Sequence, residues 1–204
     1  LGCGDGELLS RLTRVRRISG LGLEIDLHDI LDVIDRGHDV FQKDIDAGLA
    51  SIPDQAYDVA ILRETLQEVH KPRFVLNEML RVAREGLVTF PNFGKWSHRL
   101  YLCTQGRMPK GAALPFEWYN TPNIHLFTLH DFVDLCRQDD IAICDVVCIP
   151  EGALSRLLVR LGCCNVGADR VLVRIARRGR CADGGRPRSR PACRACSTGG
   201  TPPD

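Results

Sequence analysis

The sequence predicts a doubly wound, mostly parallel α/β sheet, and three observations support this. Short apolar runs alternate with helical patterns along the chain, the rhythm of a parallel sheet covered on both faces. A glycine-rich turn, Gly2-Cys-Gly-Asp-Gly6, stands where such a sheet passes from strand to helix. At 204 residues, 44% hydrophobic and 26% charged, the chain has room for one domain with a continuous core.

The elements follow in order. Leu8, Leu9 and Leu12 place a helix over 7–17, directly after the turn. Leu21–Asp26 reads as a short strand ending in acids. His28–Arg36 forms a helix with Ile30, Val33 and Ile34 on one face, stopped by Gly37. Val40–Gln42 is a strand leading into Asp44, and Tyr57–Leu62 is nearly continuous in apolar residues, as a fully buried strand would be. Pro72 starts a helix through about Arg84, with Gly86 expected to end it and Leu87–Phe90 as the next strand. Residues 92–127 break the rhythm with a long excursion holding Trp96, Tyr101, Phe116, Trp118, Tyr119 and Phe127. Thr128-x-x-Asp131 then fits a capping box for a helix that buries Leu129, Phe132, Val133 and Cys136. Strand patterns at 141–149 and 171–176 follow, joined by a variable connection.

Both ends depart from the ordinary. A ligand-cradling turn needs a strand before it to aim it, and only Leu1 is available for one. The chain is therefore expected to be a fragment with its first strand largely missing. Residues 1–176 form the expected domain, and 177–204 a disordered basic tail rich in Arg, Gly and Pro. That tail holds seven of the 27 basic groups and two of the 26 acidic ones, so the domain itself is mildly acidic. The net charge of +1 gives no case for nucleic acid. No apolar run approaches the roughly 18 residues of a membrane span, and no signal peptide opens the chain. The ten cysteines are accordingly expected to be reduced, in a cytoplasmic protein. Cys193-x-x-Cys196 is one isolated pair without a histidine beside it, and no metal site is expected.

The chemistry concentrates at the strand ends. Gly2, Gly4 and Gly6 remove side chains where backbone must turn and approach a ligand closely. Glu24 is placed to accept two ribose hydroxyls, while Asp26 is expected to cap the following helix. Asp44 could receive an adenine amine, with Asp46 as the competing residue. His70, His98, His125 and His130 are the acid–base candidates, and no catalytic residue is assigned among them.

These features resemble the class I S-adenosylmethionine-dependent methyltransferases, and more narrowly the MetW family of methionine-biosynthesis proteins. The narrower likeness rests on LGCGDGELL, GLGLEID, YDVAILRETLQEV, VTFPNFGKW and, most specifically, GRMPKGAALPFEWYNTPNIHLFTLHDFVDLC at 106–136. The resemblance implies a Rossmann-like sheet with an antiparallel edge at its C-terminal end. It implies S-adenosylmethionine or S-adenosylhomocysteine at Gly2, Gly4, Gly6, Glu24 and Asp44, and support of homoserine O-acyltransferase as partner. The acidic residue that precedes the first glycine in this family's pattern has no counterpart here, since that position falls before Leu1. Two alternatives stand beside this one: an active methyltransferase acting on a small molecule, and a fold relic that binds neither ligand nor partner.

Overall fold

The computed structural model describes residues 1–111 and 114–181. Helix α1 (Glu7–Arg16) leaves the glycine turn directly, and strand β1 (Leu21–Glu24) follows. Asp26 caps α2 (Leu27–Asp35), its carboxylate accepting the N–H groups of His28 at 2.8 Å and Asp29 at 3.3 Å. Gly37 closes α2 in the left-handed region at φ 79°, and β2 (Asp39–Gln42) pairs in parallel with β1.

The larger sheet holds β3 (Tyr57–Arg63), β4 (Ala83–Pro91), β5 (Ile141–Ile149) and β6 (Arg170–Arg177), in the order β3-β4-β6-β5. β3 and β4 pair in parallel, whereas β6 runs against both of its neighbours. The other strand pairings, β1 with β2 and β3 with β4, are parallel, so the antiparallel edge lies where it was expected.

Between β1 and β3 runs the strip of chain Leu1–Cys3. The Leu1 ammonium donates to the Ile61 carbonyl at 2.8 Å, and Cys3 N–H donates to Leu23 at 3.1 Å. Beside it lies an apolar slot of about 160 Å³ with Leu8, Leu9 and Leu12 on one wall and Val59 and Ile61 on another. This slot corrects the expectation for 57–62. Leu62 is fully buried, but Val59 is 44% exposed, on the edge strand of the described sheet. β6 is better covered, burying Val171, Val173 and Ile175 completely and exposing none of its residues fully.

Gly86 also requires a correction. Helix α3 (Pro72–Val82) passes into β4 without a loop, so Gly86 sits inside the strand rather than after the helix. A Cβ there would stand 2.9 Å from both Met79 Cε and Ile175 Cγ1, so close packing and not chain reversal is what asks for glycine. The 92–127 excursion contains a helix that the aromatic pattern concealed, α4 (Trp96–Gln105). The capping box of α5 (Leu129–Gln138) is complete, with Thr128 and Asp131 bonding each other's backbone. Phe90, Phe127 and Phe132 join β4 to α5, with ring centroids 4.8 and 4.9 Å from Phe90. Helices α6 (Ala153–Arg160) and α7 (Cys164–Gly167) fill the connection to β6.

Among the cysteines, Cys144 and Cys181 form a disulfide, contrary to the expectation that all are reduced. Cys144 lies on the edge strand β5, where the residues after β6 come alongside it. Cys136 behaves as expected of a core thiol: burial pushes its pKa up to about 12. No helix among the described residues is long and apolar enough to cross a membrane. Cys193-x-x-Cys196 and the rest of 182–204 lie outside the described residues.

Candidate functional site

The carboxyl ends of β1, β2 and β3 open on a cavity of about 520 Å³. This is where ligands bind in open α/β sheets, because the strands and helix N-termini direct their unpaired groups there. Gly2, Gly4, Glu24 and Asp44 all stand on its wall. Gly6 does not. It is buried at the entry of α1, where an added Cβ would meet Val33 at 2.9 Å, so its task is to seat the helix against α2.

Glu24 is the pivot. It is 9% exposed, and its carboxylate accepts N–H groups from Gly4 at 2.8 Å, Ile25 at 2.8 Å and Asp26 at 3.3 Å. One oxygen thus holds the end of β1 and the other holds the glycine turn. Gly4 has φ 52°, and nothing lies within 4 Å of where its Cβ would be, so backbone there faces open space. Such a surface lets a flat or charged ligand approach without a side chain intervening.

The two competing aspartates have different tasks. Asp46 Oδ2 accepts from His70 N–H and its Oδ1 from Lys71 N–H, both at 2.8 Å, which ties the turn after β2 to the start of α3. Asp44 uses one oxygen to cap the single 3₁₀ turn Ile45–Ala47, accepting from Asp46 N–H at 2.8 Å. Its other oxygen carries no protein hydrogen bond in that cap. Asp44 is therefore the acid with capacity left for a ligand amine.

Sequence reasoning missed most of the far wall. Asp29, Glu64, Thr65 and Glu68 line it too, and only the folded chain brings them opposite Glu24. Glu64 has a left-handed backbone at φ 50°, rare for a non-glycine residue and a kind of strain that gathers at functional sites. Thr89 and Arg170 hold it there, Thr89 Oγ1 accepting its N–H at 3.2 Å and Arg170 pairing with its carboxylate at 2.9 Å. The strand-end segment Arg63-Glu64-Thr65 was the available signal, since ligands bind at the carboxyl ends of strands in such a sheet.

The wall carries six carboxylates, Glu24, Asp29, Asp44, Asp46, Glu64 and Glu68, against the cations Lys43 and Arg63. Burial, reinforced by the neighbouring carboxylates, raises the pKa of both Asp29 and Glu68. A cavity of this sign favours a cationic ligand.

The candidate histidines disperse. His70 is on the cavity wall, while His98 and His125 line a separate small hollow with Gln67. His98 Nδ1, His125 Nε2 and Gln67 Oε1 are buried there without a protein partner. Burial, and then the nearby Lys95 charge, lowers the His98 pKa, which favours the neutral ring. His130 lies on α5, outside both hollows.

Known proteins match this architecture. Residues 1–174 match the model of a family described as methionine biosynthesis protein MetW. A bifunctional methionine biosynthesis protein MetXA/MetW from Rhodopirellula baltica is 38% identical over 152 residues, covering 70% of this chain. The chain spans about a quarter, 24%, of that relative's length. Among solved structures, a methyltransferase from Thermotoga maritima titled as a possible histamine N-methyltransferase aligns at TM-score 0.61 and 18% identity, covering 87% of this chain and 80% of that one. A methyltransferase from Archaeoglobus fulgidus aligns at 0.62 and 13% identity, covering 86% and 83%. One from Mesorhizobium loti aligns at 0.61 and 15%, covering 86% and 88%. At these identities the structural matches establish the fold: a Rossmann-like sheet of the methyltransferase class.

Proposed function

The chain belongs to the methionine biosynthesis protein MetW family, and from that premise we propose that it supports homoserine O-acyltransferase while reading the level of S-adenosylmethionine. The observation that carries the partnership is the relative whose name joins MetXA to MetW in one polypeptide. Fusion holds two modules at high effective concentration, an advantage when the two act on one another. We take the MetXA portion to be the acyltransferase, and we place the pair in the cytoplasm with the other enzymes of amino-acid synthesis.

The residues present fit the ligand. Glu24 would accept the ribose hydroxyls with the acceptor capacity its three amide bonds leave, and Asp44 the adenine amine. Open backbone at Gly4 leaves room for the amino-acid end, while Gly2 beside it is packed against Thr65. The excess of carboxylates favours the sulfonium of S-adenosylmethionine over neutral sulfur, so S-adenosylhomocysteine should bind more weakly. When bound, the sulfonium supplies an activated methyl group.

Calorimetry with both ligands tests the site, and failure of both to bind removes the sensing role. The same protein incubated with labelled S-adenosylmethionine and candidate small metabolites tests the alternative. Stoichiometric turnover of label into one of them would make it a methyltransferase instead.

A further inference from the structure

The 92–127 excursion forms a second hollow, distinct from the acidic cavity and larger, about 690 Å³. Its walls include Tyr101, Arg107, Lys110, Phe116 and Trp118. Trp118 is 75% exposed and the adjacent Tyr119 71%, with their rings edge to face at 5.6 Å. Met108, Ile124 and Leu126 add further exposed apolar surface around them. So much apolar surface within one short stretch marks a contact site, and Trp, Tyr and Arg are the residue types that most often anchor one.

A small metabolite is a poor occupant. Small-molecule sites enclose most of their ligand, whereas Trp118 stands out from the surface and only a second surface would cover it. Charge narrows the choice of partner. Lys110 is paired with Glu117, and Arg107 has no ion-pair partner among the described residues. The hollow therefore keeps one uncompensated cation, opposite in sign to the acidic ligand cavity. An acidic segment is drawn to this hollow and repelled from the other. Two other exposed stripes lack these features: Leu27, Leu31 and Ile34 on α2, and Leu154 and Leu157 on α6 with Leu161 just past its end, are purely aliphatic.

We propose that the Trp118–Arg107 hollow is the docking site for an acidic, apolar-tipped segment of the acyltransferase, with Trp118 and Tyr119 as anchors and Arg107 receiving a carboxylate. This rests on the reading of the chain as that enzyme's partner.

The test is the affinity of the full chain for purified homoserine O-acyltransferase, measured for wild type, Trp118→Ala, Arg107→Glu and the α6 control Leu157→Glu. Thermal melts and S-adenosylmethionine calorimetry confirm that each variant is folded. Trp118→Ala and Arg107→Glu should each weaken binding about tenfold or more, Arg107→Glu should flatten its salt dependence, and Leu157→Glu should bind as wild type. If wild type does not bind, the partnership itself fails and this site with it. If wild type binds and both hollow variants bind equally well, the partnership stands and the docking site is wrong. Loss of binding in Leu157→Glu alone would move the interface to α6. Self-association that Trp118→Ala abolishes, with enzyme binding kept, would give the hollow to a second copy of the chain and overturn the proposal.

Discussion

The backbone N–H of Gly4 donates to the Glu24 carboxylate at 2.8 Å, which locks the glycine turn to the end of β1. Two further amides depend on the same side chain. Glu24→Ala is therefore expected to act twice. It should abolish measurable S-adenosylmethionine binding, and leaving three partly buried amides without an acceptor should cost about 2–3 kcal/mol of stability. Calorimetry and urea unfolding separate the two effects. Glu24→Gln, which keeps one acceptor oxygen, should fall between alanine and wild type in both.

Asp44 and Asp46 are expected to divide function from structure. Asp44→Ala removes one cap, about 1 kcal/mol, and should weaken ligand binding by a larger factor than its stability loss explains. Asp46→Ala releases the amides of His70 and Lys71 together and should lower the melting temperature more than Asp44→Ala does. Paired melts and titrations of the two variants check this. Equal melting losses with equal affinity losses would contradict the division.

Asn92 joins β4 to α5 and α7 from a buried position. Its amide donates to the Asn165 and Ala168 carbonyls at 2.9 Å, and its oxygen accepts from Gly94 at 3.1 Å and Leu129 at 3.3 Å. Asn92→Leu keeps the volume and strands four backbone groups, so a loss of at least about 3 kcal/mol is expected by denaturant unfolding.

His98 gives the fold a pH dependence. Burial lowers its pKa in the folded protein below the unfolded value of about 6.5. Across the window between those two values the unfolded chain binds more protons, so stability falls as pH drops through 6.5 and levels off below the folded pKa. Urea midpoints between pH 8 and pH 5 should show this fall, and His98→Phe should reduce it.

How much of this was legible depends on the range of the interactions. Helix ends governed by neighbouring residues could be read directly: Asp26 on α2 and Thr128 with Asp131 on α5 do what their spacing promised. Glycines were ambiguous, because a helix stop and a close packing contact ask for the same residue. Gly86 proved to be the second, for reasons that lie at Ile175. Tyr57–Leu62 looked fully buried because apolarity records a tendency to be covered and says nothing of whether a neighbouring strand is there. At the site, the glycine turn, Glu24 and Asp44 could be ordered along successive strand ends from sequence, whereas the amides of His70 and Lys71 that Asp46 holds could not be read there. The opposite wall, Glu64 and Glu68 above all, assembles only when the end of β3 is brought across the Leu1–Cys3 strip from β1, and Glu64's left-handed backbone leaves no mark in composition.

The central claim is that this chain acts on an acyltransferase and does so through its ligand state. The most direct measurement is the rate of homoserine O-acylation by the purified enzyme, with and without one equivalent of this protein, over a titration of S-adenosylmethionine. The expected result is a rate that rises on adding the protein and changes again with S-adenosylmethionine, the second response vanishing in Glu24→Ala. A rate indifferent to the protein at every ligand concentration, with both components folded, would contradict the claim.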